Sequence, residues 1–186
     1  MLEFIQSIDG QLLLWIQEYI RVPVLNPLVV AITSLGNAGL IWIALCMVFC
    51  LTKKYRRVGI AGLLSLLLCF LITNVVLKNA VARIRPYEVI DSLQILIAKP
   101  HDFSFPSGHT ASSFAAAMAL VFAGKKKEGI AAIILATAIS FSRLYIGVHY
   151  PTDVICGALI GTMCAYIIYK IIPWWEEKIK AKGKIG

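Results

Sequence analysis

Apolar residues fill five long stretches of this chain, near 31–52, 58–77, 108–124, 129–147 and 152–172, and polar residues gather in the segments between them. Each stretch approaches the roughly 20 residues a helix needs to cross a hydrocarbon core. Backbone polar groups in lipid must be satisfied within a helix or a closed barrel, and nothing here alternates as a barrel strand does, so the pattern predicts spanning α-helices. Residues 1–25 read differently. Ile5, Ile8, Leu12, Ile16, Tyr19 and Ile20 recur at helical spacing, with Glu3, Gln6, Asp9, Gln11, Gln17 and Glu18 largely off that stripe, which predicts an amphipathic helix lying at the interface. A sixth, weakly hydrophobic span packed on the bundle is the alternative. The expected fold is therefore all-α: a polytopic transmembrane bundle of five spanning helices plus an N-terminal amphipathic helix, with six spans as the variant. It forms one integral membrane domain over 1–186, with 26–172 as the membrane core and 173–186 as a basic cytoplasmic tail.

Composition agrees with this pattern. The chain is 59% hydrophobic and 15% charged, against about 45–50% and 25% in soluble domains, so too few ionic groups remain to cover a water-exposed surface. The net charge of +8 falls in short clusters between apolar runs and forms no continuous basic face, which argues against nucleic acid. Five cysteines, all inside apolar stretches, suggest neither a disulfide framework nor a zinc site. The first residues lack the basic segment and cleavage site of a signal peptide, so the first span is expected to direct insertion.

The basic clusters also set an orientation. Lys53, Lys54, Arg56 and Arg57 follow the first span, Lys125 to Lys127 the third, and Lys170 with a lysine-rich tail the fifth, so all three fall on one side, which should be cytoplasmic. Residues 78–107 and 148–151 then lie together on the extracytoplasmic side of the cell membrane. Arg83, Arg85 and Lys99 on that side run against the charge rule, and phosphate ligation is one reason for them. The connection from Tyr87 to Phe105 is long for a helix bundle and suits either a substrate-contacting lid or an ordinary surface loop.

Three clusters at the outer edges of the spans carry the candidate chemistry. Lys78 and Arg85 stand seven residues apart, which on a helix returns to one face about 10 Å along, so both are expected to grip a phosphate; snorkelling cations are the plain alternative. In Pro106-Ser107-Gly108-His109, Ser107 is a candidate helix cap, Gly108 lets backbone N–H groups approach an anion, and His109 is placed to protonate a leaving oxygen. In the third cluster Pro151 fits the first turn of a new helix, with Asp153 inside it, four residues after His149. Asp153 can then hold one imidazole nitrogen of His149 and leave the other free to attack phosphorus, with Arg143 nearby as a cation. Read alone, the second and third clusters also fit simple helix capping.

Together, Lys78-x6-Arg85-Pro86, Pro106-Ser107-Gly108-His109 and Ser142-Arg143-x5-His149-x3-Asp153 resemble the three motifs of the type-2 phosphatidic acid phosphatase family, over roughly residues 26–172. The resemblance implies His149 as nucleophile, Asp153 as its orienting partner and His109 as general acid. It implies Lys78, Arg85, Ser107, Gly108 and Arg143 as the phosphate-binding set, and no metal or other cofactor. The chain departs from many membrane members at its amino end, where a sixth spanning helix would be expected. The implied activity is that of a lipid phosphatase or diphosphatase acting on a lipid phosphate or prenyl pyrophosphate, with undecaprenyl pyrophosphate favoured. Phosphatidylglycerophosphate, phosphatidic acid, or transfer to another acceptor are the alternatives. A non-catalytic lipid-binding protein would not need two histidines.

Overall fold

The computed structural model describes residues 2–182, with side chains over 4–173. No strand occurs among the described residues, and the helices are α1 (Leu2–Trp15), α2 (Asn26–Leu35), α3 (Leu40–Leu51), α4 (Arg56–Phe70), α5 (Lys78–Val81), α6 (Gly108–Phe122), α7 (Lys126–Tyr145) and α8 (Pro151–Lys182). A π-helical stretch, Leu71–Leu77, joins α4 to α5, and another, Ile16–Ile20, extends α1. The side chains of the basic tail beyond Pro173 lie outside the described residues.

Among the described residues, Arg56–Glu88, Lys126–Tyr145 and Pro151–Pro173 are long and apolar enough to cross a membrane. The first predicted span differs from its expectation. It begins near Pro23 and is bent by 45° where α2 meets α3. The break sits at Gly36–Gly39, where Ala38 (φ 50°) and Gly39 (φ 66°) enter the left-handed region and cannot continue a helix. Helix α6, with 15 residues, is shorter than an ordinary span.

The core runs through the middle of the bundle and is lined by small residues. Ala111 and Ala115 of α6 are fully buried. A Cβ built at Gly157 of α8 would stand 2.8 Å from the Ser107 carbonyl oxygen, so the two backbones approach closely, as membrane helices do where packing replaces the hydrophobic effect. Trp42 fills the space between α3 and α6 and donates its indole N–H to Ser113 Oγ at 2.8 Å. Large apolar side chains point outward instead: Leu51, Ile134 and Leu159 are exposed, as lipid-facing positions should be.

The basic clusters after α3 and before α7 meet at one end. Lys54 and Lys125 both lie over the Tyr55 ring, and Tyr55 donates its hydroxyl to Glu128 at 2.7 Å. At the opposite end α1 and the 82–107 segment pack over the helix termini. Leu13, Leu93 and Tyr150 form one small buried cluster there, and Tyr145, Ile146 and Val148 another. The side chain of Gln17 donates to the Ser92 carbonyl at 3.0 Å and accepts from Gln94 N at 2.7 Å, so the long connection is pinned to the N-terminal helix.

Most of the apolar stripe of α1 and its π-helical extension, Ile5, Ile8, Leu12 and Tyr19, is exposed, as a face turned to lipid would be, while Asp9, Leu13 and Ile16 are buried against the bundle. The face turned to the protein thus carries a carboxylate, because a partner for that carboxylate waits on the bundle.

Candidate active site

The local sequence places the chemistry at helix starts and ends. Ser107 caps α6 with extended backbone, its Oγ accepting from Thr110 N at 3.5 Å and from Thr110 Oγ1 at 3.1 Å. His109 therefore sits in the first turn. Pro151 opens α8 with Asp153 in its first turn, and Arg143 occupies the last turn of α7. A cavity of ≈ 670 Å³ brings together Lys78, Arg85, Gly108, His109, Arg143 and His149. Ser107 and Asp153, both fully buried, stand behind this wall; the Ser107 N–H donates to the Asp153 carbonyl at 3.1 Å.

His149 is buried between a carboxylate and a guanidinium. Its Nδ1 is 3.4 Å from Asp153 Oδ2, close but off the line of a hydrogen bond, since Nδ1 has no partner of proper geometry. Its Nε2 lies 3.4 Å from Arg85 Nη1. Burial pushes the imidazole down to about 4, opposed by Asp153 and reinforced by Arg85 and Arg143. The ring is thus neutral at physiological pH, the state in which a nitrogen lone pair can act as nucleophile. Asp153 is itself held: Oδ2 accepts from Ser104 Oγ at 2.5 Å and Tyr150 N at 2.9 Å, and Oδ1 accepts from Arg83 at 2.6 Å.

The three cations arrive from three elements. Lys78 comes from α5 and Arg143 from α7. Arg85 is not on the helix of Lys78, contrary to the expectation of a shared face: α5 ends at Val81, Ala82 turns left-handed (φ 48°), and Arg85 follows in extended backbone. The turn swings Arg85 across the site, where it donates to the Val148 carbonyl at 2.7 Å and to the Asp102 carbonyl at 2.7 Å. Arg143 donates to Thr33 Oγ1 at 2.7 Å, and its buried Nε has no partner. Three cations around one cavity are suited to the charge that develops on a transferring phosphoryl group.

His109 is set by the broken span. Its Nε2 lies 3.0 Å from Asn37 Oδ1, so with the amide in this orientation Nε2 carries the proton. A Cβ built at Gly36 would stand 2.6 Å from the His109 ring. Only glycine lets the α2–α3 break pass so near the imidazole.

The other outer cations do not join the cavity. Arg83 donates to Asp9, Thr152 and Asp153 and lies 3.9 Å over the Tyr150 ring, while Lys99 pairs with Glu88 at 3.1 Å. Sequence reasoning missed Asp9, Thr33, Asn37, Asp102 and Ser104 as neighbours of the site. Asp9 had one signal, a carboxylate interrupting an otherwise membrane-compatible segment. Asp102 lies three residues from Pro-Ser-Gly-His-adjacent Phe105 and bonds both Lys78 and Arg85.

Away from the charges the cavity is apolar. Ile43, Leu63, Leu66, Leu67 and Phe70, from α3 and α4, continue its wall from the cationic end. One space thus offers both an anion site and a surface for hydrocarbon.

Residues 58–177 match the family described as the PAP2 superfamily. The chain is 32% identical over 169 residues to an undecaprenyl-diphosphatase of Sulfolobus acidocaldarius, covering 88% of this chain and 81% of that protein. Among solved structures it resembles Aquifex aeolicus LpxE, with TM-score 0.76 and 29% identity over 86% of this chain and 93% of that one. It also resembles a transmembrane PAP2-type phosphatidylglycerolphosphate phosphatase of Bacillus subtilis, with TM-score 0.73 and 29% identity over 94% and 87%.

Proposed function

The chain belongs to the PAP2 superfamily and is a lipid phosphatase, and from that premise we propose that it hydrolyses undecaprenyl pyrophosphate through a phosphohistidine. The observation that carries the reading is the single cavity in which two histidines and three cations meet an apolar wall. A terminal phosphate fits the cationic end, and a prenyl chain fits the side formed by α3 and α4.

His149 Nε2 attacks the terminal phosphorus, the bond to the bridging oxygen breaks, and His109, entering as the imidazolium, gives one proton to that leaving oxygen and becomes neutral. Lys78, Arg85 and Arg143 hold the phosphoryl oxygens, with the N–H groups at the start of α6 beside them. Asp153 faces Nδ1 and stabilises the positive charge that the ring gains on attack. In the second half a water gives its proton to His109 and its oxygen attacks the phosphohistidine. Inorganic phosphate leaves and Nε2 is restored.

The chain crosses the membrane five times with α1 at the interface, and its site opens on the extracytoplasmic face of the plasma membrane. The support is the gathering of Lys54 and Lys125 at the end opposite to His109 and His149. Phosphate release from purified undecaprenyl pyrophosphate, phosphatidylglycerophosphate and phosphatidic acid in detergent tests the substrate. The prenyl diphosphate should have the highest kcat/KM, and a preference for either glycerolipid would overturn that choice.

A further inference from the structure

Asp102 lies between Lys78 and Arg85, two of the cations proposed to hold the phosphoryl group. Its Oδ1 accepts from Arg85 Nη2 at 2.6 Å, and its Oδ2 pairs with Lys78 Nζ. Both cations are buried, whereas the Asp102 side chain is 51% exposed, so the carboxylate has an open path away from them. The backbone around it is anchored independently. Arg85 Nε is bound by the Asp102 carbonyl rather than its carboxylate, Tyr87 holds the Pro100 carbonyl at 2.9 Å, and Ser104 N donates to the Arg83 carbonyl at 2.8 Å. The carboxylate can therefore leave by side-chain rotation while the segment stays in place.

Resting on the phosphatase reading of this site, we infer that Asp102 is a built-in stand-in for phosphate, which screens Lys78 and Arg85 between turnovers and competes with product phosphate for them. Such a competitor favours product release. After the second half-reaction inorganic phosphate, an anion with up to two charges, sits among three cations in a site of low dielectric, where charge-assisted hydrogen bonds are strong. A carboxylate returning to Lys78 and Arg85 replaces two of those contacts and speeds departure. When the site is empty, the same carboxylate lowers the mutual repulsion of the cations. Burial would raise the Asp102 carboxyl, but the hydrogen bond and charge of Lys78, with Arg85, hold it at about 2, so it is anionic wherever the enzyme works.

Calorimetric titration of inorganic phosphate into the detergent-solubilised protein, Asp102→Asn and Asp102→Ser tests this. Loss of the competing charge should tighten phosphate binding by about tenfold in both variants. It should also enlarge the upward shift of Tm that phosphate produces, and lower kcat and KM together as product release slows. Phosphate affinity unchanged or weakened in the variants would show that Asp102 only positions the cations, and would overturn the inference. Failure of every protein to bind phosphate would overturn it equally. Because titration needs no turnover, its outcome is separate from that of the lipid panel, which tests the phosphatase reading itself.

Discussion

Arg83 donates to Asp153 Oδ1 at 2.6 Å while its other terminal nitrogen donates to Asp9 Oδ2 at 2.7 Å. A cation that sequence alone offers as a phosphate ligand is thus committed to two carboxylates, one behind His149 and one on the N-terminal helix. Asp9 also accepts from Thr152 N at 3.1 Å and pairs with Thr152 Oγ1. The N-terminal helix is in this way tied to the start of α8, and through Arg83 to the carboxylate that faces His149.

Replacing Asp9 should therefore affect both stability and turnover. Asp9→Ala leaves Arg83 with one carboxylate and removes half of a buried pair, a change worth about 3 kcal/mol or more. The expected result is a lower Tm and kcat reduced by roughly tenfold with KM little changed, since no contact to the phosphate is lost. Thermal unfolding in detergent and steady-state kinetics check the two parts.

Gly36→Ala should act on His109 alone among the reacting groups. The new methyl would meet the imidazole at 2.6 Å and Ile139 at 2.8 Å, and misplacement of a general acid by about 1 Å can cost on the order of 100-fold. The loss should be large for phosphatidic acid, whose leaving alkoxide needs a proton. It should be small for p-nitrophenyl phosphate, whose leaving group does not. Comparing kcat on the two substrates reads this directly.

Acidity should separate His149 from an ordinary histidine. Its ring is held at about 4 rather than 6.5, so as pH falls from 6.5 the unfolded chain takes up a proton that the folded protein refuses. This contribution to stability is fully present above pH 6.5 and is lost progressively down to about pH 4. Phosphoenzyme formation should likewise retain its nucleophile down to about pH 4, the acid limb of single-turnover rate lying there once substrate ionisation is corrected for.

In the proposed mechanism Lys78, Arg85 and Arg143, which line one cavity, supply the positive charge that a divalent ion would otherwise bring to the phosphoryl oxygens. Activity should persist in excess chelator, and Arg143→Lys should reduce kcat/KM by about tenfold or more, because a lysine cannot reproduce the guanidinium that spans Thr33 and the cavity. Assays with and without chelator check the first expectation, and kinetics of the variant the second.

Much of the site was legible because its residues act close to their own position in sequence. Ser107 caps the helix that follows it, and Pro151 starts the helix that carries Asp153; both are local rules of helix termini. The gathering of the three motifs at one end followed from the alternation of spans and basic clusters. What escaped depends on distant partners or on a single backbone turn. Helical spacing put Arg85 above Lys78, but left-handed Ala82 breaks that helix, and alanine gives no warning of it. Periodicity marked α1 as amphipathic with Asp9 off its apolar stripe, but not that Asp9 meets Arg83, 74 residues away. No spacing rule connects Asn37 with His109, 72 residues apart, or reveals that Asp102 reaches back to Lys78.

The proposed mechanism stands or falls on transfer of phosphorus to His149. Undecaprenyl pyrophosphate labelled with ³²P in its terminal phosphate, mixed with enzyme and quenched in alkali within one turnover, should leave protein-bound label. That label should be stable to base, labile to acid, located at His149 and absent from His149→Ala. Label on another residue, or phosphate release by His149→Ala at the wild-type rate, would contradict the account.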